Sequence, residues 1–301
     1  MGSLKEIRTR INSVQNTQQI TRAMKMVAAA KLRKAQQAIE QMRPYSAKLK
    51  EIMQDLSGSL GEESGVGKYY EQRSVNRVLL VVVTSDKGLC GAFNNSINKL
   101  ALKQMEDQYR ALNASKNVDL YCIGKKGSEY FKKRNYGLVG DHPEFFNNLN
   151  YENTEAIATN IMIQFLDGKY DQIEVLYNQF KNAITYIPTA EQFLPIAESQ
   201  EEENPNEQKD GERIPNYIFE PSQEEIIADL VPRSLKVNFY RMMLDSNASE
   251  HGSRMTAMDQ ATDNAQELID DLKLKYNKAR QAAITKEISE IVGGAEALAN
   301  E

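Results

Sequence analysis

At 301 residues and a formal net charge of −5, the chain has room for one large domain or two ordinary ones. No apolar run reaches the roughly 18 residues a membrane-spanning helix needs, and the N-terminus lacks the pattern of a signal peptide, so a soluble protein made in the cytoplasm is expected. Two cysteines, Cys90 and Cys122, are too few for a disulfide framework and sit in no metal-ligand spacing, which fits a reducing compartment and predicts no metal.

The charge is unevenly spread. Residues 1–50 carry eleven Lys or Arg against Glu6 and Glu40, so this stretch is +9 and the remainder −14. Such a stripe serves as a solvated face beside an acidic partner helix, or as a dock for a negatively charged protein surface. Nucleic acid would also want it, but no aromatic platform or base-reading motif accompanies it.

From Leu4 to Leu56 the apolar positions Leu4, Ile7, Ile11 and Val14, then Leu32, Ala35, Ile39 and Met42, then Leu49, Met53 and Leu56 recur three and four apart. That beat predicts one long helix with a stripe for a partner helix. Ser3 with Glu6 reads as a capping box, and Pro44 reads as a kink because the phase survives it. Midway the stripe turns polar at Gln18, Thr21 and Lys25, while Ile20, Met24 and Val27 move to the neighbouring face.

Gly58 to Gly67 reads as a linker. Val78–Thr84, a β-branched apolar run, predicts a strand buried on both faces of a parallel sheet. Ala92–Ala111 reads as a helix, Val118–Ile123 as a strand, Lys126–Arg134 and Glu155–Leu166 as helices, and Ile173–Tyr177 as a strand. This alternation predicts a doubly wound, Rossmann-like α/β domain. Ile184–Ile187 follows too closely for a helical crossover, so that pair is expected antiparallel and the sheet mixed. The charged stretch 198–212 cannot bury a core and is expected to be a mobile loop. Tyr217–Phe219 is a candidate edge strand.

Ser222 with Glu225 forms a second capping box, and from there to Leu298 the chain reads as a single helix, bent near Pro232. Its heptad runs through Met255, Met258, Thr262, Ala265, Ile269, Leu272, Tyr276, Ala279 and Ala283. Three domains follow: a first coiled-coil helix over 1–56, an α/β domain over 57–221, and a second coiled-coil helix over 222–301. Because the α/β domain is spliced between them, the two helices must be antiparallel. With Leu56 level with Ser222, cross-helix residue numbers total about 278, which sets Leu4 opposite Leu274 and Met24 beside Arg254. A lysine at Met24 would then stand beside that arginine. The polar seam would lie close to the second helix's own interruption, SNASEHGS over 246–253. Lys275 onward would be a tip without a partner in this chain, about 40 Å long at the helical rise. Its stripe, Ile284, Ile288, Ile291, Ala295 and Leu298, is displaced from the preceding heptad and addresses something else.

Enzyme chemistry finds little footing. His142 and His251 have no spacing to a nucleophile or metal set and read as surface residues. SDKGLCGAFN, over 85–94, follows the best strand but lacks the dinucleotide glycine fingerprint; Gly88 and Gly91 read as a tight strand-to-helix turn. GKKGS, over 124–128, could cradle an anion at a helix N-terminus, though a plain turn suits it better. Cys90 reads as a small buried filler, and Cys122 as a handle for a label. Two other readings stay open, a coiled-coil scaffold tethering an α/β module and a nucleotide-binding enzyme with helical arms.

Four segments carry a resemblance: IRTRINSVQNTQQITRAMKMVAAAKLRKAQ over 7–36, SDKGLCGAFN, ATDNA over 261–265, and YNKARQAAITKEISEIVGGAEAL over 276–298. In this order they resemble the γ subunit of F-type ATP synthases across the whole chain. The resemblance implies a non-catalytic rotor shaft without cofactor, present in one copy. It would couple proton flow to ATP synthesis and hydrolysis on the cytoplasmic face of a bacterial plasma membrane. The implied partners are the α and β subunits of a catalytic hexamer, the ε subunit and the ring of membrane c subunits. Positions that meet the catalytic head in that family match Met24, Lys25, Arg254, Gln281 and Thr285, with Ile288, Ile291 and Leu298 at the bearing end. The cysteine-bearing insertion of chloroplast relatives is missing, so no thiol switch is implied.

Overall fold

The computed structural model describes residues 4–57, 67–196 and 222–299. Ser3, the Gly58–Gly67 linker apart from Gly67 itself, the 198–212 stretch and Tyr217–Phe219 therefore lie outside the described residues. The elements are α1 (Leu4–Ser57), β1 (Val78–Val83), α2 (Phe93–Glu106), α3 (Arg110–Ala114), β2 (Val118–Ile123), α4 (Lys125–Lys132), β3 (Leu138–His142), α5 (Tyr151–Leu166), β4 (Gln172–Phe180), β5 (Tyr186–Leu194) and α6 (Gln223–Ala299). The chain forms two compact units, residues 30–253 and, separately, residues 1–29 with 254–301.

The larger unit is built on a five-stranded sheet in the order β3-β2-β1-β4-β5. The first four strands run parallel, and β5 pairs antiparallel with β4. This is the mixed sheet that the short 181–185 connection requires. Every residue of β1 is buried, because the sheet is covered on both faces. Leu79, Val81 and Val83 share one core with α5 residues Ile157, Ile161 and Phe165 and with α6 residues Val231, Leu235, Phe239 and Met242. Val78, Leu80 and Val82 pack on the other side with Ile97, Ala101 and Met105 of α2 and Phe131 of α4. One covering layer of the sheet is thus the beginning of the long C-terminal helix itself. That helix starts as its capping box predicts, with the Glu225 N–H donating to Ser222 Oγ at 3.2 Å.

β3 is absent from the sequence reading. Four of its five residues are only partly buried and Val139 is exposed, and Gly140 at its centre is imposed by the Tyr121 ring, which occupies the space a Cβ would need. The histidines also differ from expectation. His142 ends β3 with Nε2 2.6 Å from the Tyr121 hydroxyl, and His251 is buried.

In the smaller unit, α1 and α6 pair as an antiparallel coil whose buried and half-buried positions are the expected heptads. Met258, Thr262, Ala265, Ile269 and Leu272 are buried, and Met255, Tyr276, Ala279 and Ala283 are half-buried. From α1, Leu4, Ile7, Ile11, Val14 and Gln18 are half-buried and Thr21 and Ala28 buried.

Candidate functional site

The polar seam of the coil fixes its register. Thr21 Oγ1 meets Thr262 Oγ1 at 2.8 Å, Gln18 Nε2 donates to Gln266 Oε1 at 3.0 Å, and Lys25 Nζ donates to Asp259 Oδ1 at 2.5 Å. These pairs total 283 or 284 rather than about 278, so the expected register is corrected by five to six residues. Met24 stands beside the Lys25–Asp259 pair, and Arg254 lies level with Ala29 instead of Met24. A lysine at Met24 would compete for Asp259. Leu4 falls level with the Ala279 turn, and the half-buried stripe of α6 continues to Ala283.

Among the expected contact positions, Met24, Lys25 and Arg254 are half-buried and Gln281 and Thr285 exposed. Thr285 Oγ1 donates back to Gln281 O at 2.9 Å, one turn earlier on the same face. Beyond Ala283 the apolar stripe is open to solvent, with Ile288 55% and Ile291 72% exposed. The side chain of Leu298 lies outside the described residues. On α1, Ile20 and Val27 are displaced from the seam as expected, at 59% and 58% exposure. Asp259 and Thr262 face Lys25 and Thr21 only in the observed register, so a register counted from the helix ends does not pair them.

The larger unit shows what occupies the places where an α/β sheet would bind a ligand, at the carboxyl ends of its strands. Just past β1, Asp86 accepts from the Lys125 N–H at 3.1 Å and the Glu144 N–H at 2.8 Å through Oδ1, and from the Phe146 N–H at 2.9 Å through Oδ2. The next two N–H groups of α4 are also taken, Lys126 by Ser85 O at 3.0 Å and Gly127 by Thr84 Oγ1 at 2.8 Å. GKKGS thus serves as a turn, giving a carboxylate only its Lys125 N–H, and that carboxylate is the chain's own Asp86. Gly124 at its head adopts φ 97°, and a Cβ there would collide with Thr84 O.

At the switch point between β1 and β4 the occupant is α6. Ser249 Oγ donates to Asn178 O at 3.0 Å and Ser253 Oγ to Cys90 O at 2.7 Å, while a Cβ on Gly252 would meet the Ala183 carbonyl. The SNASEHGS stretch is therefore not a weak part of the coil. Its small polar residues are where the helix docks on the ends of β1 and β4, and this enclosure buries His251. In SDKGLCGAFN, Gly91 has φ 59° and Cys90 is buried beside Ser85 and Asn94, a structural turn as expected. Cys122 is fully buried, with burial pushing its thiol up to about 12, so it offers no handle for a label. No group of His, Cys, Asp and Glu able to hold a metal occurs among the described residues.

Comparison with known proteins agrees with this arrangement. The family model described as ATP synthase matches residues 3–298. An ATP synthase gamma chain of Christiangramia forsetii is 54% identical over 298 residues, 99% of both chains, and one of Flavobacterium johnsoniae is 55% identical over the same share. Among solved structures, a chain from the central stalk and c-ring of Tetrahymena thermophila mitochondrial ATP synthase matches with TM-score 0.59 at 29% identity, covering 80% of this chain and 99% of that one. A chain of Euglena gracilis mitochondrial ATP synthase matches in fold with TM-score 0.65 at 17% identity, covering 98% and 94%. The exposed isoleucine face past the coil, the self-filled ligand sites of the sheet and these full-length matches converge: the chain belongs to the ATP synthase gamma chain family, the central-stalk subunit of that complex.

Proposed function

We propose that the chain is the rotor shaft of a proton-translocating F-type ATP synthase and performs no bond chemistry itself. The exposed stripe through Ile284, Ile288 and Ile291 carries this reading. It continues α6 beyond the last half-buried coil position, and each isoleucine covered by a partner would contribute about 1–2 kcal/mol, since about half to three quarters of it is open to cover. A sleeve formed by alternating α and catalytic β subunits would cover it. Met24, Lys25, Arg254, Gln281 and Thr285 would meet that hexamer, and Ile288, Ile291 and Leu298 would form its bearing end. The α/β domain, within residues 57–221, would bind the ε subunit and the membrane c-ring. One copy would serve each complex, without cofactor or nucleic acid, on the cytoplasmic face of a bacterial plasma membrane. No described helix is long and apolar enough to cross that membrane, so attachment would run through the ring. The shaft would act by differential contact, favouring a different binding state in each catalytic subunit as it turns.

Mixing the chain with α and β subunits tests this. A complex that hydrolyses ATP is expected, and Ile288→Asp with Ile291→Asp should leave the melting of the isolated chain unchanged while weakening assembly at least tenfold, since the two covered isoleucines together exceed about 1.4 kcal/mol. Failure of the unaltered chain to assemble would refute the reading.

A further inference from the structure

A helix that transmits torque must not spin inside the domain that grips it. Apolar packing of Val231, Leu235, Phe239 and Met242 already holds one face of the helix against the sheet. Directional contacts add a fixed angular orientation to that hold, and α6 makes them on several sides within the larger unit. Lys236 Nζ donates to Glu155 Oε1 of α5 at 2.8 Å, Arg241 reaches Glu191 of β5, and Ser249 donates to the Asn178 carbonyl of β4. At roughly 100° per residue, Arg241 and Ser249 leave the helix at about 140° and about 220° from Lys236. Contacts so spread around the axis oppose turning in both senses.

Arg241 is the most constrained of the three. All its guanidinium nitrogens are engaged: Nε donates to Asn238 Oδ1 at 2.9 Å, Nη1 to Asp245 Oδ2 at 3.3 Å, and Nη2 to both Glu191 oxygens at 2.9 and 3.1 Å. Tyr177 of β4 holds the far side of Glu191, its hydroxyl donating to Oε2 at 2.6 Å. The planar group thus ties the long helix to the two antiparallel strands in one fixed orientation, which a lysine's single rotatable ammonium cannot reproduce.

We propose that Arg241, gripped by Glu191, is a torque key: a positioning residue that prevents α6 from turning within the α/β domain under load. It matters only if the chain turns as a rotor, and so rests on that reading.

The test uses the whole complex in sealed membrane vesicles, comparing the chain with its Arg241→Lys and Glu191→Gln variants. Both substitutions keep side chains of similar size. ATP hydrolysis and the initial proton-pumping rate, measured without an opposing gradient, should match the unaltered complex. The pH difference reached at steady state, where the load is greatest, should fall, because a joint without its key slips. A merely structural role would lower the unloaded rate and the final gradient together, and that outcome, or an unchanged final gradient in both variants, overturns the key. If the unaltered complex fails to pump at all, the rotor reading itself is lost.

Discussion

Asp86 and His142 show how single residues set the character of the sheet's carboxyl end. Burial holds the His142 imidazole below its ordinary value of 6.5, against the opposing charge of Asp141, and the Tyr121 hydroxyl supplies its nearest hydrogen bond. A histidine kept neutral in the fold destabilises it as pH falls, since the unfolded chain gains the proton first. The loss begins near 6.5 and grows until the folded value is passed. Replacing His142 with Asn should therefore flatten the decline in melting temperature between about pH 7 and 5; an identical slope would show that this histidine does not contribute. Gly124→Ala should cost about 3 kcal/mol or more, because the residue would need both a left-handed backbone and the space of Thr84 O. Urea unfolding of the variant measures that, and a loss under about 1 kcal/mol would contradict it. Neither role was legible in the sequence. The glycines of GKKGS announced a turn, but that an aspartate 38 residues before Gly124 fills it depends on the parallel pairing of β1 with β2.

At the scale of elements, the two long helices and the core strands were plain, because repeats of three and four and runs of β-branched residues depend only on local order. Register was not. Counting from the helix ends assumes that Leu56 and Ser222 lie level, whereas pairing is decided by side chains far from those ends, above all Thr21 with Thr262 and Lys25 with Asp259. The ion pair is about half exposed and so contributes little, while the threonine pair is buried: one hydroxyl donates across to the other, and the second, with its own single proton, donates back to its own helix, to Gln18 O from Thr21 or to Met258 O from Thr262. A polar pair in a coil core trades stability for register. Thr21→Val with Thr262→Val should accordingly stabilise the isolated chain by about 1 kcal/mol in thermal unfolding; destabilisation would mean that the hydroxyls contribute more than their burial costs. The purpose of the interruption at 246–253 is hidden for a similar reason. Serine and glycine look like poor coil positions until β1 and β4 are seen to dock there.

For the molecule as a whole, an α/β fold of this kind invites a nucleotide reading that its interior contradicts. Asp86, Ser85 and Thr84 take the first three N–H groups of α4, and α6 covers the ends of β1 and β4, so the two places where the fold would receive a phosphate are filled by the chain. Titration of the isolated chain with labelled ATP should show no binding tighter than about millimolar, and micromolar affinity would favour an enzyme with helical arms over a shaft. The central claim is mechanical, and single-molecule rotation tests it most directly. A bead on an exposed lysine of the α/β domain replaced by cysteine, Lys133→Cys, would report on the chain within a complex whose α and β subunits are fixed to a surface. On addition of ATP the bead should turn continuously in one direction; sustained hydrolysis with a stationary or randomly fluctuating bead would contradict the account.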